Sequence, residues 1–268
     1  MTERLVLIAI AGGTLMATSL AESRFPVEHQ ETVRRTLRVP NATTTALEVS
    51  NVNGAITVTS VGGDTVELVA DRKFRARTDA DLDTARRVLG LDLTNGPGGV
   101  LVCGDASFRC RCDEQTQRRG RWDDLPYRVE TRLELRVPRG MAIRACTVNG
   151  RIDSTDLRAA ARLTTVNGRV EASFQERPAA ASSFRTVNGD VVVSFPSSLA
   201  ADLRLKTLNG GLFTDFETTV LPAVPAVGER RNGKFVYRSD RSAHVRVGGG
   251  GPEFEFETVN GDVRVLKR

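Results

Sequence analysis

The sequence predicts an all-β protein wound as a β-solenoid, with rungs of about 20 residues, one short helix and an N-terminal signal peptide. Three observations predict it. A short phrase recurs: Thr-Val-Asn-Gly ends at Gly150, Gly168, Gly189 and Gly261, Thr-Leu-Asn-Gly ends at Gly210, and the variant Asn-Val-Asn-Gly ends at Gly54. The Asn-Gly pairs that begin at Asn149, Asn167, Asn188 and Asn209 lie 18, 21 and 21 residues apart. Each copy is flanked by alternating apolar and polar residues, the period of a half-buried strand.

The chain has 268 residues, is 40% hydrophobic and carries a net charge of +5, with only Lys73, Lys206, Lys234 and Lys267 as lysines. These values are ordinary for a globular protein. A scattered arginine excess favours anionic envelope polymers weakly and marks no site by itself.

Residues 1–21 read as a signal peptide: Arg4, then sixteen apolar or small uncharged residues (5–20), then Ser19-Leu20-Ala21 as a cleavage site. Sixteen residues are short for a membrane span, which needs roughly 20. Retention as an uncleaved anchor is the alternative, and would be the only membrane attachment. No cysteine stands at the cleavage site to carry lipid. The mature chain is expected in the periplasm, secreted or at the cell surface.

Residues 22–35 lack a pattern and read as a tether. Residues 36–268 read as one domain, with an N-terminal part (36–140) and a repeat part (141–268). Alternation predicts strands at 36–39, 47–50, 56–58 and 66–69, with Gly62-Gly63-Asp64 as a turn. Residues 78–90 predict a helix. Thr78 can cap it, Asp79 and Asp81 suit its N-terminus, Leu82, Ala85, Val88 and Leu89 share one face, and Gly90 can end it. Strands follow at 100–103 and 128–137, separated by a polar, arginine-rich loop at 104–127.

In the repeat part, two columns are apolar in every copy and are expected to point inward. One holds Ala145, Leu163, Phe184, Leu205 and Phe256, the other Ile152, Val170, Val191, Leu212 and Val263. Phe174, Phe195 and Phe216 recur at 21 residues and are expected to stack at a corner. The columns between vary in charge and size, as outward positions do. Residues 221–231 interrupt the period, residues 235–237 and 245–247 resume strand, and Gly248 to Gly251 form a turn before the last copy.

Asn-Gly turns a strand sharply, because both residues tolerate a positive φ. Asn53, Asn149, Asn167, Asn188, Asn209 and Asn260, with Gly54, Gly150, Gly168, Gly189, Gly210 and Gly261, are therefore read as a structural ladder, each side chain bonding to the next rung. A calcium row would need a shorter period and an Asp in every copy, whereas the residue after Gly is Arg, Arg, Asp, Gly and Asp. Asp153 and Glu171 share an outward column and are a conceivable acid and base, but that column continues into Val192 and Phe213 and nothing converges on them. His29 and His244 stand near no nucleophile motif, and no phosphate-binding loop is present. No catalytic residue, metal or cofactor is expected.

Four cysteines in an exported chain suggest two disulfides. The spacing of Cys110 and Cys112 is poor for zinc. Cys146 lies in an outward column, so Cys112–Cys146 is expected to pin the polar loop to the first repeat rung, with Cys103–Cys110 closing the loop base.

The order of signal peptide, early Val-Asn-Gly-Ala-Ile rung, short helix, Leu-Arg-Val-Pro-Arg-Gly (135–140) and serial Thr-Val-Asn-Gly rungs resembles the bacterial putative-adhesin family, a domain of unknown function related to the toast-rack domains. The resemblance covers roughly residues 37–266. It implies a right-handed β-solenoid exported from bacteria, with no catalytic residues to carry over. Some relatives sit in envelope-stress systems.

The expected function is a non-enzymatic binding or scaffold module of the bacterial envelope. The alternatives are a partner or sensor domain in envelope stress and, less favoured, a carbohydrate-active β-helix enzyme. Its partner is expected to be an envelope protein or polysaccharide, not nucleic acid. Candidate contacts are Arg109, Arg111, Arg118, Arg119, Arg121, Trp122 and Phe213.

Overall fold

The computed structural model describes residues 24–96, 99–104, 112, 125–222, 229–231, 234–236 and 241–268. The N-terminal part holds β1 (Val27–Arg38), β2 (Ala46–Ser50), β3 (Ile56–Val61), β4 (Thr65–Ala76), helix α1 (Asp79–Val88), β5 (Asp92–Gly96), β6 (Gly99–Cys103) and β7 (Tyr127–Pro138). The repeats hold β8 (Ala142–Cys146), β9 (Ile152–Leu157), β10 (Ala161–Thr164), β11 (Val170–Phe174), β12 (Ser182–Arg185) and β13 (Val191–Phe195). Then come β14 (Ala201–Asn209), β15 (Leu212–Thr214), β16 (Thr218–Val220), β17 (Glu229–Arg231), β18 (Lys234–Val236), β19 (Arg241–Val247), β20 (Glu253–Asn260) and β21 (Val263–Lys267).

The strands make two large sheets. One has nine strands in the order β1-β4-β7-β3-β9-β11-β13-β21-β15, the other ten in the order β16-β19-β14-β20-β12-β10-β8-β2-β6-β5. β17 and β18 pair with each other as a separate two-stranded sheet. The chain steps from one large sheet to the other at each Asn-Gly corner, as from β8 to β9 and from β10 to β11. Equivalent strands pair in parallel and in register, so like positions stack.

Stacking puts the two apolar columns between the sheets. Ala145, Leu163, Phe184, Leu205 and Phe256 are all buried, as are Ile152, Val170, Val191 and Val263, while Leu212 on the edge strand β15 is half-buried. Burying each large side chain contributes roughly 2–3 kcal/mol, and the columns merge into one continuous core.

The rungs do not stack in chain order. The last copy lies between the third and fourth repeat rungs: β20 pairs with β12 on one side and β14 on the other, and β21 with β13 and β15. Charge and shape account for this. Direct stacking of β14 on β12 would set Lys206 beside Arg185. The Glu-x-Glu-x-Glu face of β20 separates them instead, with Arg185 bonded to Glu255 at 2.6 Å, Lys206 to Glu257 at 3.2 Å and Arg204 to Glu253 at 2.8 Å. Inside, the Phe256 ring stacks on Phe184 with centroids 5.2 Å apart.

This insertion corrects the phenylalanine column. Phe174 and Phe195 stack at 4.8 Å, but Phe216 is not the next member, because β21 intervenes and sets the Lys267 amine 5.4 Å from the Phe216 ring centroid.

The N-terminal part is built differently. β1, β4 and β7 form an antiparallel ladder, with β7 joined in parallel to β3. Residues 27–35, expected as part of a tether, are strand: β1 pairs with β4 from Val27 through Arg38. The expectation failed because β1 is held by its backbone ladder and shows little apolar contrast. Its inward residues include His29 and Glu31 and are only half-buried.

β7 pairs with β3 only from Leu133 onward, so its first half and the facing half of β4 overhang the first rung. Helix α1 covers the inner face of this overhang. Thr78 caps it by accepting from the Asp81 amide at 3.2 Å, and Ala85 and Leu89 pack with Phe74, Ala76, Tyr127 and Val129 in a separate small core. Arg72 sits in an inward position on β4 between the two cores. It bonds to the Leu89 carbonyl, pairs with Glu31 at 3.0 Å and lies 4.7 Å from the Phe74 ring centroid.

Candidate functional site

At the Asn-Gly corners the polar side chains find their partners on adjoining rungs. In spatial order the asparagines run 53, 149, 167, 188, 260, 209. Asn149 Nδ2 donates to Asn53 Oδ1, Asn167 to Asn149, Asn188 to Asn167, Asn260 to Asn188 and Asn209 to Asn260, all at 2.7–2.8 Å. The buried threonines do not bond to one another. Thr165, Thr186, Thr258 and Thr207 each donate to a glycine carbonyl of the adjoining rung at 2.8–2.9 Å. In the first rung Asn51 takes the threonine position and donates to the carbonyls of Gly54 at 3.1 Å and Thr131 at 2.7 Å.

Close approach, more than conformation, demands the glycines. A Cβ on Gly150 would lie 2.1 Å from the Gly54 carbonyl oxygen although Gly150 itself has no positive φ, and one on Gly168 would lie 2.2 Å from the Gly150 oxygen. Cys112 and Cys146 form a disulfide with Cα atoms 5.7 Å apart, and the Cys112 amide donates to Glu48 Oε1 at 2.7 Å. Cys103 is also disulfide-bonded, but the expected partner Cys110 lies outside the described residues. So do Arg109, Arg111, Arg118, Arg119, Arg121 and Trp122, and the signal peptide.

Asp153 and Glu171 are in register on β9 and β11. Arg151 lies 2.8 Å from Asp153 and Arg169 3.1 Å from Glu171, so each carboxylate has its own cation on an open sheet face. Partial burial raises the Asp153 pKa, with Arg151 opposing the rise. Across the sheet this column continues to Val192, Arg264 and Phe213. Arg264 sits 5.6 Å from the centroid of Phe213, which is 51% exposed. This arrangement makes surface ion pairs and lacks the cleft of an acid–base pair. Among the described residues no group of three or more His, Cys, Asp or Glu could hold a metal ion.

The step between the overhang and the corner makes a groove of about 710 Å³. Five basic side chains line it, from Lys73, Arg75, Arg128, Arg132 and Arg151, against the carboxylates of Glu130 and Glu134. Asn53, Ala55 and Thr57 form its corner wall. Arg75 and Arg128 stand directly opposite on β4 and β7, a like-charge pairing that sheets ordinarily avoid. Lys73 and Arg75 share one carboxylate, Glu28, at 2.6 and 3.4 Å. A second concavity of about 420 Å³ adjoins it, sharing Lys73, Glu130 and Arg132. Sequence reasoning missed this groove, because its walls come from four separated segments.

No protein-family model and no curated protein matches the sequence. Among solved structures, the chain is similar to a putative cell adhesion protein from Clostridium sporogenes, at 8% identity over 89% of this chain and 100% of that one, with a TM-score of 0.52. A putative adhesin from Bacteroides fragilis aligns over 89% of this chain and 97% of that one, at 8% identity and a TM-score of 0.27. The first likeness is one of fold.

Proposed function

We propose that this chain is a non-enzymatic, adhesin-like binding or scaffold module of the bacterial envelope, exported by its signal peptide and wound as a right-handed β-solenoid. One observation carries the reading. Among the described residues a concavity of about 710 Å³ is lined by five basic side chains and two carboxylates, with no histidine, cysteine or serine in its wall, while the recurrent asparagines are bonded to one another. A groove of this kind can hold an extended ligand, and its two carboxylates, Glu130 and Glu134, stand among arginines that can hold them as structural ion pairs. The adhesion label of the C. sporogenes protein and the Cys112–Cys146 disulfide support the same assignment.

The test is capture. The purified chain, immobilised by its C-terminus, is expected to retain envelope material from bacterial fractions and to release no new sugar reducing ends from it. Turnover of a polysaccharide that disappears in Asp153→Asn or Glu171→Gln would refute the non-enzymatic reading. Capture of one membrane protein in place of polymer would turn it towards the envelope-stress alternative.

A further inference from the structure

We propose that the groove beside the first rung binds an acidic polysaccharide through its sugar carboxylates. This rests on the binding-module reading and names the ligand class for it.

Three features of the groove converge. First, one of its cations is left over: Lys73 and Arg75 share Glu28, Arg132 pairs with Glu130 at 3.3 Å and Arg151 with Asp153 at 2.8 Å. Arg128 pairs with no carboxylate among the described residues. Its only contact of note is with the Phe25 ring, whose centroid lies 5.4 Å from the guanidinium carbon. It nonetheless faces Arg75 across the ladder. Glu28 already holds Arg75, at 3.4 Å, so Arg128 is the cation left to take a ligand carboxylate, which a planar guanidinium can meet with two parallel hydrogen bonds.

Second, the asparagine ladder ends here with a donor to offer. Every later asparagine gives an Nδ2 hydrogen to its neighbour, whereas Asn53 only accepts, through Oδ1. Its Nδ2 is the terminal donor of a head-to-tail chain of amides, has no partner among the described residues, and stands in the groove wall.

Third, the wall also presents acceptors, in Glu130, Glu134 and the Thr57 hydroxyl. A phosphate backbone brings the same charge per unit but few free hydroxyls for these acceptors. A uronic-acid chain offers both a carboxylate for the arginines and hydroxyls for the acceptors. The lining has no aromatic platform on which nucleic-acid bases could stack.

The experiment is a calorimetric titration of the purified chain with hexagalacturonate, with neutral maltohexaose and with a short oligothymidylate. Hexagalacturonate is expected to bind, more weakly as salt rises, and maltohexaose not to bind. Arg128→Ser and Arg132→Ser, both exposed, are expected to weaken binding by about tenfold each without moving Tm, since a hydrogen bond to a charged group is worth about that factor. Arg162→Ser, on β10 of the other sheet, serves as the control and is expected to change binding less than about twofold, as surface charges distant from a site do.

Equal weakening by Arg162→Ser, oligothymidylate binding as tight as hexagalacturonate, or no binding of hexagalacturonate would each overturn the assignment. Envelope capture separates this failure from the broader one. If capture persists in Arg128→Ser and Arg132→Ser, the groove is wrong and the module reading stands. If the unmodified chain captures nothing, the module reading itself falls.

Discussion

The stack of repeat rungs (the coil) and the N-terminal strands beside it (the cap) use the same two sheets but are held together by different means. In the coil, β8 to β15 with β20 and β21 repeat one local solution, in which threonine, asparagine and glycine of each rung bond to the rung beside it. In the cap, β1, β4 and β7 form a long antiparallel ladder, and a single helix replaces the second sheet over the overhang. Periodic contacts make the coil uniform and spread its stability along the stack. The cap is held by its long backbone ladder and by non-repeating side-chain contacts such as those of Arg72. The only groove with an excess of positive charge described above lies where the two constructions meet.

Substitutions can break or sharpen this contrast, and the largest effect is expected in the coil. Gly168→Ala sets a methyl against the Gly150 carbonyl, which belongs to the backbone and cannot swing away. A loss of about 3 kcal/mol or more is expected, read as a fall in the denaturation midpoint, whereas Gly62→Ala, with nothing near it, should stay within about 0.5 kcal/mol. A Gly168→Ala protein as stable as the parent would show that rungs can slide apart cheaply.

Arg72→Met comes next, at about 2–3 kcal/mol, because the Leu89 carbonyl loses its buried donor and Glu31 its partner. Hydrogen exchange should show α1 losing protection while β10 to β13 keep theirs. Uniform loss through both regions would erase the distinction between cap and coil. Asn167→Ala should cost less, about 1 kcal/mol, since Asn149 and Asn188 are exposed and water can replace the lost bonds.

The smallest effect is one of pH, in the cap. Hydrogen bonds from Lys73 and Gln30 lower the Glu28 pKa from 4.5 to about 2. A carboxyl whose folded pKa is depressed adds stability above its unfolded pKa and loses it as pH falls towards the folded one. The cap should therefore weaken between about pH 4.5 and 2. Glu28→Gln should flatten that limb of the Tm-against-pH curve and leave the coil's unchanged.

The same contrast explains what could be read from the chain. Rungs were legible because one corner repeats: the inward positions of Leu163, Phe184 and Val191 follow from counting to the nearest Asn-Gly. Helix α1 was legible from Thr78, Asp81 and Leu89. β1 was not, since His29 and Glu31 occupy inward positions where apolar residues would have marked a strand. Nor was the place of the last rung, although the alternation of Glu253, Glu255 and Glu257 against Arg185, Arg204 and Lys206 was its signal. The groove was hidden because the register of β4 against β7, which sets Arg75 opposite Arg128, depends on long-range pairing. Arg72 had a faint mark, as the one charged residue in the inward run of Val66, Leu68, Ala70, Phe74 and Ala76.

The position of β20 and β21 bears on how the molecule comes into being. A coil whose turns followed one another could be laid down from its first turn to its last as the chain emerges. Here the final turn is a keystone, entering between two turns made before it. Residues 253–260 supply the strand that pairs with both β12 and β14, so without them each of those strands would lack this neighbour. A polypeptide cut short by premature termination or proteolysis would keep both edges bare, and bare edges recruit other chains.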